Sequence, residues 1–120
     1  MTDRYARQIR LAEVGEAGQR RLGDSTCTVQ GSGLAAEVEV RYLAGSGIGH
    51  LLVSDAAVAR SAREVNPSVE VLILHAGVTA KAPEPEWLQS LSSPARDVAL
   101  GAYRALSSLR RALQPSKQPP

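Results

Sequence analysis

Short apolar runs alternate with stretches of small and charged residues, and the spacing of the apolar positions changes along the chain. Residues 26–30, 50–54 and 69–74 are short and rich in Val, Leu, Ile or Thr, which is typical of buried strands. Residues 35–44 and 55–64 are rich in residues that favour helices. Strands that alternate with helices predict an α/β fold with a parallel, Rossmann-type sheet of about three strands and flanking helices.

A long amphipathic helix is predicted over residues 95–113. Its apolar residues recur at intervals of three and four and form one stripe: Val98, Ala102, Leu106, Leu109 and Leu113. Four arginines lie on the opposite face: Arg96, Arg104, Arg110 and Arg111. We expect the apolar stripe to be the side of the helix that packs on the rest of the domain.

The segment before the first strand, residues 4–22, mixes charged and small residues with a few apolar ones. This pattern predicts one or two short helices, broken near Gly15 and Gly18. The Pro-rich end of the chain has little to bury and is expected to be disordered. The predicted parts are an N-terminal helical arm at 1–24, a reduced Rossmann-like domain at 25–113 and a disordered tail at 114–120.

Composition narrows the functions that such a domain serves. The 120-residue chain is 43% hydrophobic, but it has no Phe, one Trp and three Tyr. Because Ala buries little apolar area, the core contributes little stability per residue, and we expect the chain to need a partner copy or subunit. No run approaches the ~20 apolar residues of a membrane span. A net charge of +2, with the arginines scattered, does not favour nucleic-acid binding.

The single cysteine and the two histidines predict no reactive centre. Cys27 has no second cysteine to pair with and lies in a predicted strand, so we expect an inert buried thiol in a reducing cytoplasm. No apolar signal region follows the N-terminus. His50 and His75 are isolated, and without partners at ligand spacing they predict no metal site.

A glycine turn between the first strand and the next helix is the main candidate site. Gly31 and Gly33 leave the backbone bare, so that a phosphate can approach the unpaired N–H groups at the helix start. Ala36 takes the third small position, where close packing of helix on strand is needed. Asp55 follows the second strand, where it either accepts hydrogen bonds from the ribose of an adenosine or caps the next helix. Three later glycines predict only a turn: Gly45, Gly47 and Gly49.

The start of the chain resembles a known family. Residues 4–11 (RYARQIRL), then Gly15, then Gly18 with Gln19, then the glycine turn, are similar to the opening of ThiF/MoeB-type and ubiquitin-activating-type adenylyltransferases. The similarity extends to Asp55, with weaker echoes in Asn66-Pro67 and in residues 101–113. The order and spacing of these pieces are more specific than any one of them.

The resemblance implies a dimeric, ATP-dependent enzyme that activates the C-terminal glycine of a ubiquitin-like sulfur carrier. It assigns Gly31 and Gly33 to the phosphate loop, Asp55 to the ribose and Arg7 to a catalytic role in trans, at the nucleotide of the partner subunit. Mg²⁺ accompanies ATP in that chemistry, because charge on the departing pyrophosphate must be offset.

The chain departs from the family after the second strand. The family continues with a second Asp, an Asn-x-x-Arg-Gln segment, a Lys and a later metal-binding Asp, whereas here Asp55 is followed by Ala56-Ala57-Val58. Arg60 or Arg63 would replace the lost cations only by coincidence. Leu34 and Ala36 also stand where the family has Gly, and the bulk of Leu34 opposes a close phosphate. The chain is therefore identified as a shortened and degenerate member.

Three functions remain open. The favoured hypothesis is a non-catalytic homologue, or pseudoenzyme, that forms a homodimer or joins a full-length adenylyltransferase, or binds a ubiquitin-like carrier. The second is a minimal ATP-dependent adenylyltransferase whose missing groups come from another subunit. The third is a small adenine-nucleotide or dinucleotide-binding module. ATP, with Mg²⁺, is the one cofactor that the pattern allows, and a degenerating remnant of a longer gene is a further alternative.

Overall fold

A computed structural model describes residues 15–74 and 84–114. The expectations for Arg7 and the rest of residues 1–14, for His75 and for the end of the tail at 115–120 lie outside the described residues. The described elements follow one another as α1 (Gly15–Asp24), β1 (Thr26–Val29), α2 (Leu34–Ser46), β2 (His50–Val53), α3 (Ala56–Val65), β3 (Glu70–Ile73), a 3-10 turn (Glu86–Ser90) and α4 (Ala95–Leu113).

The three strands form one parallel sheet in the order β1-β2-β3. The strands pair in register, so that Thr26, His50 and Glu70 lie side by side at one end, and Val29, Val53 and Ile73 at the other. The predicted α/β fold with a short parallel sheet is confirmed, and each strand begins and ends within one residue of its predicted bounds. None of the described helices is long and apolar enough to cross a membrane.

Burial alternates along the strands, because successive side chains point to opposite faces of a sheet. Cys27, Val29, Leu51 and Val53 are buried on the face that the helices cover. The largest buried side chains of the helices join them in the same core: Leu22, Val40, Leu43 and Val58. The other face carries exposed and half-exposed side chains, which places the core of the described residues on one side of the sheet.

The buried side of α4 differs from the predicted one. Val98 is exposed and Leu106 is 56% exposed, so the prediction that their stripe is buried is wrong for this half of the helix. The buried residues of α4 are Leu100 and three small residues: Gly101, Ala105 and Ser108. A Cβ at Gly101 would lie 2.5 Å from the carbonyl oxygen of Ala35, so this side lets α4 approach α2 closely. Close backbone approach, rather than apolar bulk, selects the packed side.

The segment that enters β1 is one helix. The break predicted near Gly18 is wrong, since Gly18 is buried inside α1, and Leu22 near its end is fully buried in the core. The backbone N–H of Gly49 donates to the carbonyl oxygen of Leu22 at 3.0 Å. A Cβ on Gly49 would collide with the carbonyl oxygen of Gly23, so glycine is required where α1 meets the start of β2.

Candidate functional site: the glycine turn after the first strand

The glycine turn joins β1 to the start of α2. Gly31 and Gly33 have φ angles of 86° and 90°, in the left-handed region that side chains with a Cβ rarely adopt. Nothing lies within 4 Å of where a Cβ would stand on either residue, so these glycines meet a backbone requirement and leave open space above the turn. The structure therefore places both predicted loop glycines in a turn of the expected kind.

The N-terminus of α2 faces this turn without a side-chain cap. The carbonyl oxygen of Gly33 accepts the first helical bond, from the N–H of Glu37 at 3.0 Å. The N–H groups of the first turn have no intrahelical partner and, with the helix dipole, favour a negative charge. Leu34 is 41% exposed at the same place, so its side chain lies beside the opening rather than in the core.

Asp55 lies at the end of β2 and caps α3. Its Oδ2 accepts hydrogen bonds from the backbone N–H groups of Ala57, at 3.0 Å, and Val58, at 3.2 Å. The capping alternative left open by the sequence is therefore present in the structure. Both capping bonds use Oδ2, so the other carboxylate oxygen can still accept bonds from a ligand. Contact with a ribose remains a prediction.

Ser54 connects the two predicted pieces. Its Oγ accepts a hydrogen bond of 2.9 Å from the N–H of Gly31, and it directly precedes Asp55 in the chain. The turn after β1 and the acid after β2 are thus held side by side at the carboxyl ends of neighbouring parallel strands. Sequence reasoning missed Ser54, and its position next to Asp55 at a strand end was the only signal available.

The charges required for phosphate chemistry are engaged elsewhere or dispersed. Arg41 pairs with Glu64 at 3.0 Å, and Arg96 pairs with Glu84 at the same distance. Arg60 is exposed on α3. Among residues 15–74 and 84–114, no group of three or more His, Cys, Asp or Glu side chains lies close enough together to hold a metal ion. The site as described offers a backbone cradle and one acid.

Two buried titratable groups lie away from the turn. Glu39 is 5% exposed, and burial raises its pKa to about 7, although the nearby Arg104 lowers it in part. Burial also raises the pKa of the Cys27 thiol, and Cys27 is buried as the sequence predicts. Sequence reasoning missed the buried acid, because Glu39 is buried by tertiary packing and not by a local pattern.

Comparison with known proteins supplies the relatives. A stretch of 53 residues, 44% of the chain, is 45% identical to the SAMP-activating enzyme E1 of Haloferax volcanii and covers 20% of that protein. A stretch of 52 residues, 43% of the chain, is 42% identical to the adenylyltransferase and sulfurtransferase MOCS3 of Culex quinquefasciatus and covers 12% of it. Over this stretch, the chain is similar to enzymes of the ThiF/MoeB type.

The ThiF/MoeB-type relatives are much longer than the matched stretch. Protein HesA, heterocyst, of Trichormus variabilis is 41% identical over 51 residues, which are 42% of this chain and 19% of HesA. The chain spans about one fifth or less of the curated relatives it matches. No family model matches it.

Solved structures support the fold. The tRNA N6-threonylcarbamoyladenosine dehydratase TcdA of E. coli superposes with a TM-score of 0.52 over 61% of this chain and 40% of TcdA, at 22% identity. A second structure, TcdA (CsdL), gives a TM-score of 0.53 over 73% of this chain and 42% of that chain, also at 22% identity. The described helices and parallel strands are thus consistent with a truncated Rossmann-like fold that these two chains share in part.

Proposed function

We propose that this chain is a non-catalytic ThiF/MoeB-like homologue that acts as a partner subunit or binding module. Its partner would be a second copy or a complete adenylyltransferase, or a ubiquitin-like carrier protein of the kind that such enzymes activate. Two relatives support this choice of partners by their names: one is an activating enzyme, and the other is an adenylyltransferase and sulfurtransferase. We further propose a cytoplasmic location, which rests on the single unpaired Cys27.

The observation that carries the proposal is the state of the acid after β2. The carboxylate of Asp55 caps α3, and the next positions are Ala56, Ala57 and Val58. No further carboxylate occurs before Glu64, which is paired with Arg41. Adenylate formation requires cations or a metal at the departing pyrophosphate, and this segment supplies no second carboxylate beside Asp55 to hold one.

The fit to ATP is therefore partial. The open space above Gly31 and Gly33 would let a phosphate reach the N–H groups at the start of α2, and Asp55 would accept bonds from a ribose. No cluster in the described part of the chain fits Mg²⁺. Arg7, outside the described residues, is proposed to act in trans at a partner's nucleotide. The chain's own residues therefore support binding of a nucleotide better than they support adenylate formation.

One observation favours a second candidate, a small adenine-nucleotide or dinucleotide-binding module. The hydrogen bond from Gly31 to Ser54 keeps the phosphate turn beside Asp55, as a nucleotide site requires. Leu34 argues against tight binding, because its side chain lies at the opening where a phosphate must approach. We therefore expect weak affinity for ATP.

Two measurements on the same preparation test the proposal. The chain is mixed with its organism's ubiquitin-like carriers and full-length adenylyltransferase, and complex formation and ATP–pyrophosphate exchange are recorded. We expect a complex, and no exchange by the chain with a carrier alone. Exchange by the isolated chain, lost in Asp55→Ala, would instead support a minimal adenylyltransferase. Tight ATP binding with no protein complex would support the nucleotide-binding module.

A further inference from the structure

Two surfaces of the described residues carry exposed apolar side chains. The first, called here the open face, is the side of the sheet opposite the core, and its side chains alternate with the buried ones: Thr26, Thr28, His50, Leu52, Glu70 and Leu72. The second, called the outer stripe, runs along α4 through Val98, Ala102 and Leu106. Both are continuous and apolar at their centres.

The open face is unusual for a parallel sheet. Parallel sheets occur almost always with helices on both faces, because the helical connections between parallel strands cover them. Here Leu72 is 58% exposed, and Leu52 beside it in register is half-buried. A shallow depression of about 300 Å³ runs between β2 and β3 on this side. Leu52 and Leu72 line this depression.

The edge strand sets the chemistry of this surface. Along β3 and the residue after it, Glu70, Leu72 and Leu74 point the same way and are exposed. Alternate residues of a strand are spaced by about 6.6 Å, so the row places a carboxylate, a leucine and a leucine at regular steps. The carboxylate of Glu70 lies 3.6 Å from Nδ1 of His50, and its side chain remains largely in solvent.

The outer stripe offers the matching row. Ala102, Leu106 and Arg110 follow one another at four-residue intervals, which is a step of about 6 Å along a helix. Leu106 and Arg110 are exposed. Arg110 has no carboxylate within 4 Å among the described residues, unlike Arg96 and Arg104, which share Glu84 on another side of α4. The row thus ends in a free positive charge.

We propose that the outer stripe of one copy packs on the open face of a second copy. In this arrangement α4 runs antiparallel to β3, so that Ala102 faces Leu74, Leu106 faces Leu72 and Arg110 faces Glu70. The two rows have nearly equal steps, the leucines meet, and the opposite charges meet at one end. A helix then covers the second face of the parallel sheet, and the contact stands whether or not the chain binds a carrier.

The contact has two consequences. It is heterologous, because a helix on one copy meets a sheet on the other, so successive copies either close into a ring or continue as an open chain. It is also small, since three strands at about 4.8 Å and four residues at about 3.3 Å span only about 14 by 13 Å. We therefore expect weak self-association that grows with concentration, below the standard interface size.

Sedimentation velocity of the purified chain across the micromolar range, without nucleotide or carrier, tests this directly. We expect concentration-dependent association that Leu72→Asp and Leu106→Asp each weaken at least about tenfold. Both side chains are exposed, so thermal melting at low concentration should match the unchanged chain. Arg60→Glu, at an exposed arginine on α3, serves as the control and should leave association unchanged.

A charge exchange identifies the pairing. Glu70→Arg alone and Arg110→Glu alone should each weaken association, whereas one chain that carries both should regain it, because the charges again oppose each other. Failure of the double variant to recover would overturn the proposed register. Monomeric behaviour at every concentration would overturn the contact itself and leave the open face to another part of this chain or to a different protein. Neither result depends on the exchange and carrier measurements that test the proposed function.

Discussion

The two faces of the three-stranded sheet share one backbone but differ in side-chain exposure and in packing. On the covered face, Val29, Leu51 and Val53 are at most 2% exposed and pack under α2 and α3. On the open face, Leu72 and its neighbours remain accessible. Stability of the described residues therefore comes from one side of the sheet, and the other side is left for a contact that the described residues do not make.

Helix α4 repeats the contrast. Its packed side carries Gly101, Ala105 and Ser108, and its exposed side carries Val98 and Leu106. Apolar size alone would have predicted the reverse. The small residues allow the backbones of α2 and α4 to approach, and Val98 and Leu106 are presented outward, as expected of a surface that another molecule covers.

The sharpest way to break this comparison is to truncate one leucine on each face. Leu51 and Leu72 lie on neighbouring strands, one residue apart in register, and point to opposite sides. Leu51→Ala should lower the free energy of unfolding by about 2–5 kcal/mol, since it leaves a cavity in the core. Leu72→Ala should change it by less than about 0.5 kcal/mol, as at exposed sites generally.

Urea unfolding followed by circular dichroism, at a concentration low enough to keep the chain monomeric, measures both values. The slope of the transition should be the same for the two variants, because neither changes the surface exposed on unfolding much. A cost at Leu72 comparable to that at Leu51 would contradict the comparison and show that the open face is covered within a single chain.

Local sequence patterns were sufficient for much of the fold. Three short apolar runs predicted β1, β2 and β3 to within one residue, and the three- and four-residue spacing predicted both ends of α4. The same spacing failed at Val98 and Leu106, which are exposed although they belong to the predicted apolar stripe. Which side of α4 packs depends on the distance between Gly101 and Ala35, a tertiary property without any local sign. The break predicted at Gly18 failed for a similar reason, because packing of α1 outweighs the helix propensity of one glycine.

The candidate site was predictable where it rests on backbone requirements. Gly31, Gly33 and Asp55 were identified because a turn between strand and helix needs glycine and a helix start favours an acid. The hydrogen bond from Gly31 to Ser54 was not predictable, because it depends on the lateral pairing of β1 and β2. The burial of Glu39 likewise depends on where α4 lies.

Glu39 gives the next largest expected effect and tests the covered side. Its pKa of about 7 in the folded chain lies above the ordinary value of 4.5, because burial penalises the carboxylate. Below pH 4.5 the acid is protonated in both states, and no stability is lost. As the pH rises through the folded pKa, the unfolded state is favoured by about 3 kcal/mol in total. Glu39→Gln removes this loss and should be more stable than the unchanged chain at pH 8.

The measurement is the free energy of unfolding of both proteins at several pH values between 4 and 8. We expect the difference between them to be near zero at the acid end and to reach its full size above pH 7. Glu70→Gln is the matched control on the open face, where the side chain is largely in solvent, and it should change the free energy of unfolding by less than about 0.5 kcal/mol. A Glu39→Gln difference that does not vary with pH would show that Glu39 is ionised without cost.

The smallest expected effect concerns Asp55, which follows β2 at the carboxyl end of the sheet and belongs to neither face. Asp55→Ala removes the acceptor of the bonds from Ala57 and Val58 and should lower the free energy of unfolding by about 1 kcal/mol. Asp55→Ser keeps a capping oxygen and should recover most of that loss.

Calorimetric titration of ATP into the same two variants separates a cap from a ribose ligand, because serine restores the first role but is too short for the second. If Asp55→Ser recovers stability and ATP affinity together, the carboxylate has no role beyond the cap. If it recovers stability alone, the acid also binds the nucleotide, and the end of the sheet keeps a function that neither face provides.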